Sequence, residues 1–228
     1  MPRARRLPAQ HRRRLIIESA REVFSGQSYQ KVGTADVAKA AGVSEPALYR
    51  YFSSKKELFI ATLRSTGPKL LELWQGIAYD VDDPLETLWS IGVHDYDHLQ
   101  SHSGNMKLQF QALSEADDPE IRQALRENFA EFVDFVTETI DEGKRRGIVR
   151  RQLDSRLVAW QFLGIGLTLD LIHLLGFSQE LDRGKVEQWG RLYQEMLGTP
   201  RGRDGMGPGV RAVSELAAPQ GWPLEVQP

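Results

Sequence analysis

The chain has 228 residues, 41% hydrophobic and 26% charged, which is the balance of a globular protein with a sizeable core. It contains no cysteine, which excludes disulfides, thiolate nucleophiles and cysteine metal sites and fits a cytoplasmic protein. The net charge of −2 is unevenly divided: residues 1–65 hold 13 basic and 5 acidic residues, a net charge of +8, and the remainder holds −10. This asymmetry indicates either a polyanionic partner or a solvated basic face.

The chain begins with a basic segment and a first helix. The helix is predicted from about Ala9 to Phe24, because its apolar residues share one face. Two interpretations of the arginines stay open: a solubilising tail, or an arm that follows the DNA backbone or enters the minor groove. No apolar signal-peptide segment follows them. These arginines are Arg3, Arg5, Arg6, Arg12, Arg13 and Arg14.

Two short helices, roughly residues 34–41 and 44–52, are predicted on either side of Gly42. A glycine there can adopt the positive φ that lets the chain leave one helix and start the next. Ser44 can cap the second helix, and Pro46 suits its first turn, where no amide hydrogen is needed. This is the arrangement of a helix-turn-helix, whose second helix enters the major groove of DNA.

A fourth helix is predicted after Ser54, and Pro68 should kink or break it. Ser54 and Glu57 have the spacing of a capping box. Lys55 and Lys56 lie between them in the first turn, where the helix dipole disfavours cations. These lysines are therefore either solvated or placed to meet a phosphate together with the helix N-terminus.

The remainder up to residue 197 is predicted to be a helical bundle. Pro84 opens one helix, and Pro119 opens a long one whose apolar residues recur every three or four positions. A shorter helix is expected near residues 105–113, and Asp154 and Asp182 should cap the last two. Residues 198–228 are rich in glycine and proline, which predicts a disordered tail.

The helix-turn-helix segment resembles the signature of the TetR family of regulators. The resemblance covers about residues 10–65, and the rest of the chain resembles the family only in layout. It implies an all-α protein with a three-helix, homeodomain-like head at residues 1–55. The head joins a larger helical ligand-binding and dimerisation bundle at residues 56–197. The matching residues are Val37, Ala38, Ala41, Gly42, Val43, Ser44, Leu48, Tyr49, Arg50, Tyr51, Phe52, Ser54, Lys55, Lys56, Glu57 and Leu58.

The same resemblance implies DNA contacts at particular positions. Thr34, Tyr49, Tyr51 and Lys55 match positions that reach the sugar-phosphate backbone, and such contacts fix register rather than sequence. From the residues alone, one tyrosine could instead pack in the core while the other is exposed.

Bases are expected to be read from the start and the exposed face of the second helix. Arg50 can pair with guanine, and Glu45 can accept from cytosine or orient Arg50. The other residues expected to face bases are Ala35, Ser44, Pro46 and Ala47.

A very apolar helix is predicted from about residue 154 to 175, and its glycines would permit the close approach of another helix. The resemblance implies a homodimer held by a four-helix contact. Two heads related by symmetry would then read a palindromic operator in double-stranded DNA. The predicted interface is Leu163, Gly164, Gly166, Leu167, Leu171, Val186, Trp189 and Tyr193.

Aromatic and polar residues recur where the core of the bundle is expected, and they suit a largely apolar cavity with a few polar anchors. Each could equally be core or surface. Asp170 and His173 could instead form a satisfied polar pair at the dimer interface. His94 and His98 lack a convincing third ligand for zinc, so no metal or other cofactor is expected. The candidates are Trp74, His94, Tyr96, His98, Met106, Phe110, Phe132, Phe135, Trp160, Asp170 and His173.

Together these patterns predict a cytoplasmic DNA-binding transcriptional regulator, a repressor released from its operator by a largely apolar small molecule. An enzyme is not expected, because nucleophile elbows, glycine-rich phosphate loops and metal clusters are missing from the sequence. The alternative is a ligand-independent DNA-binding or helical interaction protein with a degenerate head. Membrane association is not expected, because the apolar stretch at residues 163–175 is interrupted by Asp170 and His173 and is short for a bilayer.

Overall fold

In the computed structural model, residues 8–200 are described, apart from the side chains of residues 100–103, and the regular elements of this part are all helices. The prediction of an all-α protein is confirmed. The predicted tail beyond residue 200 and the arginines Arg3, Arg5 and Arg6 lie outside the described residues. The α-helices are α1 Ala9–Gly26, α2 Thr34–Ala40, α3 Glu45–Leu48, α4 Lys55–Arg64, α5 Gly67–Asp80, α6 Pro84–Asp97, α7 Leu99–Ser114, α8 Pro119–Arg145, α9 Ser155–Leu174 and α10 Arg183–Leu197.

Side-chain caps fix several helix starts where the sequence predicted them. The carboxylates of Asp154 and Asp182 each accept a backbone amide of the first turn at 2.9 Å. At the start of α4, Ser54 Oγ accepts the Glu57 amide at 3.1 Å. Glu57 in turn accepts the amide and the hydroxyl of Ser53, both at 2.7 Å, and these donors lower the pKa of its carboxyl. Each cap satisfies amides that the first turn leaves without helical partners.

Two elements differ from the sequence prediction. The regular part of α3 is only four residues, because the amides of Arg50 and Tyr51 bond three residues back and tighten the chain into turns. Helix α7 spans 16 residues rather than a short segment near 105–113. Helix α9 extends beyond the apolar stretch of residues 163–175 and, by length and composition alone, is long and apolar enough to cross a membrane. That the stretch itself is too short for a bilayer stays a prediction.

The chain divides into two compact units. The first comprises residues 1–69 and 100–131, and the second comprises residues 70–99 and 132–228. One core runs through the first unit: Phe24 and Phe59, with ring centroids 4.9 Å apart, belong to the same buried cluster as Leu108 and Ile121. The head therefore shares its core with most of α7 and the start of α8.

The second unit contains α6, α9, α10 and most of α5 and α8. Helices α6 and α10 pack closely because Gly190 has no side chain: a Cβ atom there would lie 2.1 Å from Cζ3 of Trp89. Tyr193 is also buried, and its hydroxyl donates to the carbonyl of Val158 at 2.8 Å. These contacts hold α10 against α6 and α9.

Candidate nucleic-acid interface and effector site

The helix-turn-helix has the turn that the sequence predicts. Gly42 has a φ of 63°, and the amide of Val43 donates to the carbonyl of Ala38 at 2.9 Å. Ser44 caps α3 by accepting the Ala47 amide at 3.3 Å. The underside of α3 is anchored by Leu48, which is fully buried. This anchoring leaves the opposite face of α3 free to meet a partner.

A hydrogen-bonded network joins the starts of α2 and α3. The hydroxyl of Thr34 donates to a carboxylate oxygen of Glu45 at 2.6 Å and lies 3.1 Å from the hydroxyl of Tyr49. Glu45 is thus held by α2, and it forms no ion pair with Arg50 within the described residues. The network orients Thr34 and Tyr49, two of the four residues expected to contact the backbone of DNA.

Most of the predicted DNA-contacting residues reach the surface of the first unit. Tyr49 is 48% exposed, and Arg50 is exposed beside it. Tyr51 is half-buried and, with Ser44 and Arg50, lines an open groove that also includes Arg12 of α1. Among the remaining predicted residues, Ala35 and Pro46 are exposed, and Thr34, Glu45 and Ala47 are half-buried.

Most cations of this surface have no acidic partner. Lys56 pairs with Asp118 and Glu120 at 3.1 Å, and Arg64 pairs with Glu127 at 2.8 Å. The other basic residues described between positions 8 and 69 form no ion pair with any described residue. They are Arg12, Arg13, Arg14, Arg21, Lys31, Lys39, Arg50, Lys55 and Lys69. Such unneutralised cations are the electrostatic footprint of a protein that binds nucleic acid.

Lys55, a predicted phosphate contact, also forms hydrogen bonds within the head. Its ammonium donates to the carbonyl oxygens of Tyr29 at 2.9 Å and Val32 at 3.1 Å, and it lies 4.5 Å from the centre of the Tyr29 ring. These contacts tie the loop before α2 to the start of α4. A phosphate contact by Lys55 stays a prediction, and in the absence of DNA its ammonium is already engaged.

The family of bacterial regulatory proteins called tetR matches residues 16–62, which include the whole helix-turn-helix. By this match, the helix-turn-helix segment of the chain is similar to the tetR family. The transcriptional activator FasR of Mycolicibacterium smegmatis is 45% identical over 62 residues, which cover 27% of this chain and 28% of FasR.

Two solved structures share the fold of this chain over both of its units. FadR of Bacillus subtilis in complex with stearoyl-CoA has a TM-score of 0.63 and 22% identity, covering 80% of this chain and 96% of FadR. A regulator from Saccharomonospora viridis in complex with choline has a TM-score of 0.70 and 20% identity, covering 83% and 99%.

In the second unit, three predicted effector residues come together. The Trp74 ring is 4.9 Å from Phe132 and 6.0 Å from Phe135, measured between ring centroids. The structure adds Phe162, 5.9 Å from Trp74, and Asp95, whose carboxylate lies 3.4 Å from the Trp74 indole nitrogen. Neither was predicted. Asp95 could have been found from the sequence, because it follows Leu88 and Ile91 at helical spacing on a buried face.

Two other predicted effector residues, Asp170 and Tyr96, lie in different surroundings. Burial raises the pKa of Asp170 to about 7. The pKa of Asp95 is also raised to about 7, mainly by burial of Asp95 itself and to a smaller extent by the charge of Asp170. Tyr96 instead donates its hydroxyl to the Leu181 carbonyl at 3.0 Å. Asp170 therefore lies near enough to Asp95 for their charges to interact, whereas Tyr96 joins α6 to the loop before α10.

The other predicted effector residues are scattered. His94 and His98 contact each other with Nδ1 atoms 3.2 Å apart, and His173 Nδ1 is 3.2 Å from Ser178 Oγ. Trp160 is 49% exposed. Met106 and Phe110 are half-buried in the first unit, not the second. Among the side chains that the structure describes, no three acidic or histidine residues are grouped in a way that could hold a metal.

The predicted dimer residues fall into two groups. Gly164 and Leu171 lie on a stripe of α9 that also carries the exposed Leu157, Trp160 and Leu175. By contrast, three predicted residues are buried within the protomer, and another three are half-buried. The buried ones are Leu163, Val186 and Tyr193, and the half-buried ones are Gly166, Leu167 and Trp189.

Proposed function

We propose that this protein is a transcriptional regulator that represses by gripping a palindromic operator with two copies of its head and is released by a small-molecule effector. The observation that carries the proposal is the surface of the helix-turn-helix: Tyr49 and Arg50 are exposed beside Arg12, and most of the cations around them are unneutralised. Neutralising phosphates with such cations supplies much of the affinity of DNA-binding proteins. A degenerate head in a helical interaction protein would not need this surface.

The exposed stripe of α9 supports a homodimer. Leu157 and Leu175 are 60% and 62% exposed, and Leu192 and Met196 of α10 are also exposed. Several large apolar side chains exposed along one helix face are typical of an interface between protein chains. A partner copy explains the stripe better than a membrane does, because the opposite face of α9 is built into the protomer core through Val158, Ala159 and Leu169. This arrangement supports a cytoplasmic protein.

Effector control is supported by the ligands of two structural neighbours, stearoyl-CoA in FadR and choline in the Saccharomonospora viridis regulator. In the present chain, the aromatic cluster around Trp74 is the proposed place for a ligand. An effector shifts the equilibrium between DNA-binding and released conformations by binding one of them more tightly.

A DNA-retardation assay tests the proposal. Purified protein is mixed with the intergenic DNA upstream of its own gene, in the presence of competitor DNA, and compared with the combined Tyr49→Ala, Arg50→Ala and Lys55→Ala variant. We expect specific binding by the wild type and at least a hundredfold loss in the variant, provided that circular dichroism shows both to be folded. Binding retained by the variant would overturn the site, and a wild type that binds no specific DNA would favour the interaction protein.

A further inference from the structure

The hydrogen-bonded network at the start of α3 ends on the carboxylate of Glu45. The Thr34 hydroxyl has a single proton, which it donates to Glu45 Oε1 at 2.6 Å. The hydroxyl oxygens of Thr34 and Tyr49 are 3.1 Å apart, so Tyr49 is the donor in that contact. The hydrogen bonds therefore run in one direction, from Tyr49 through Thr34 to Glu45, and Glu45 is the last acceptor.

The second carboxylate oxygen of Glu45 has no such donor. Oε1 is the only Glu45 side-chain oxygen that accepts a hydrogen bond from a residue that the structure describes. Glu45 also forms no ion pair with Arg50 or with any other described cation. It is half-buried between Ser44 and Pro46, which are both exposed. One oxygen is therefore held by α2, while the other keeps an unneutralised capacity to accept.

The major groove of DNA offers few donors to an acceptor of this kind. The second helix of a helix-turn-helix presents its N-terminal residues to the base edges, and Glu45 is the first residue of α3. Cytosine presents an amino donor in the groove, guanine and thymine present acceptors, and adenine presents an amino donor beside the acceptor N7. A carboxylate oxygen that loses its water in the groove needs a donor in exchange. Cytosine supplies one without an acceptor on its own edge.

We propose that Glu45 is a specificity-determining residue that requires a C·G base pair in each half of the operator. The oxygen that Thr34 leaves free accepts a hydrogen bond from the cytosine amino group. This inference rests on the proposed function, because it presupposes that the head reads DNA. The other role considered for Glu45, orientation of Arg50, is not favoured, because these two residues form no ion pair in the described part of the chain.

Selection from a library of random DNA duplexes tests the proposal without knowledge of the operator. The full-length wild type and Glu45→Gln each select DNA, and the bound duplexes are sequenced. Glutamine keeps an oxygen that can accept from Thr34 but places an amide donor where the second acceptor was. We expect the wild type to prefer a C·G pair at one position of each half-site by about fivefold or more. The variant should prefer guanine or thymine in place of that cytosine.

Two results of the selection would overturn the proposal. One is the same base preference at every position in the wild type and in Glu45→Gln, because the variant retains the contact with Thr34 and differs only in what it offers to a base. The other is an A·T pair in the wild-type half-site at the position where the two preferences differ.

Asp36→Asn is the matched control for the loss of a carboxylate. Asp36 also accepts a hydrogen bond within the head, from the amide of Gly33 at 2.9 Å, but it lies in α2. The first helix of a helix-turn-helix crosses the DNA backbone. We therefore expect Asp36→Asn to select the same bases as the wild type. A change to guanine or thymine in this variant too would contradict a particular role for Glu45.

A double-mutant cycle between the residue and the base identifies the amino group. The selected duplex is compared with one in which pyrimidin-2-one, which lacks the amino group, replaces the cytosine. This replacement should weaken binding of the wild type by about fivefold or more and that of Glu45→Ala by less than about twofold. Effects on the duplex itself are common to both proteins and cancel in the cycle. Equal losses in the two proteins would overturn the proposal.

The failure of this inference can be told from the failure of the proposed function. Thermal unfolding shows whether Glu45→Ala is folded, and Glu45→Gln takes its place in the cycle if it is not. A wild type that enriches a palindromic sequence unaffected by Glu45→Gln rejects only the role of Glu45. A folded wild type that enriches no sequence rejects the regulator and, with it, the role of Glu45.

Discussion

The hydroxyl of Thr34, the first residue of α2, donates to the carboxylate of Glu45, the first residue of α3, at 2.6 Å. The carboxylate therefore acts inside the helix-turn-helix, as a brace between its two helices. This contact also explains why an acidic residue lies on a surface with many unpaired cations: the Glu45 carboxylate accepts a hydrogen bond from Thr34.

Replacement of Glu45 should expose this bracing role. We expect Glu45→Ala to lower the free energy of unfolding by about 1 kcal/mol or more, because hydrogen bonds to charged groups contribute about 1.5–3 kcal/mol and this one is partly exposed. Glu45→Gln keeps an acceptor for Thr34 and should lose less. Urea denaturation measures both, and equal losses would argue against the brace.

The free cations of the head should determine how binding responds to salt. Each phosphate contact contributes about −0.9 to the slope of log affinity against log salt concentration. Arg12→Ala and Arg50→Ala should each flatten that slope by about this amount. Arg64→Ala is the control, since Arg64 already pairs with Glu127, and its slope should match the wild type. The arginine assignment fails if all three variants respond alike.

Lys55 should matter to the protein without DNA. Lys55→Met removes the ammonium that holds the carbonyls of Tyr29 and Val32, so we expect a loss of about 1–3 kcal/mol in unfolding free energy. Lys39→Met, at an exposed lysine with no described ion pair, should change stability by less than about 0.5 kcal/mol. If Lys55→Met weakens DNA binding but leaves the unfolding free energy unchanged, Lys55 contacts phosphate without stabilising the head.

The exposed stripe of α9 should hold two copies together. Leu171→Glu places a charge on this stripe without touching the protomer core, since Leu171 is 46% exposed. Sedimentation velocity should show a dimer for the wild type and a monomer for the variant. Tyr79→Glu changes a tyrosine that is 90% exposed on α5 and should leave the dimer intact. A dimeric Leu171→Glu variant would place the interface elsewhere.

Stability should fall as the pH rises towards 7, because burial and the charge of Asp170 raise the pKa of Asp95 from 3.8 to about 7. A carboxyl with a raised pKa binds more protons in the folded state than in the unfolded state, so deprotonation between these two values favours unfolding. Asp95→Asn should reduce the decline in unfolding free energy between pH 4 and pH 8 by at least about 1 kcal/mol. Titrating groups that do not interact with Asp95 are common to both proteins and cancel, whereas Asp170, whose charge acts on Asp95, contributes to the difference. Parallel pH profiles would show that Asp95 is an ordinary carboxylate.

The sequence could predict features that depend only on neighbouring residues. The turn expected at Gly42 and the helix caps expected at Asp154 and Asp182 are present in the structure. The sequence could not show that Glu45 bonds to Thr34, since that contact depends on how two helices cross. For Asp95, the one local signal was its helical spacing from the buried Leu88 and Ile91. Leu163, Val186 and Tyr193 were assigned to the interface since an apolar helix does not reveal which side faces its own core.

The core shared by Phe24, Phe59, Leu108 and Ile121 limits which segments of this protein can be exchanged in protein engineering. A head cut out at residue 55 would leave its hydrophobic underside open to water, without the residues of α7 and α8 that close it. Engineers who wish to graft a new operator preference onto this chain should therefore transplant residues 1–69 together with residues 100–131, or else restrict the exchange to the outward face of α3.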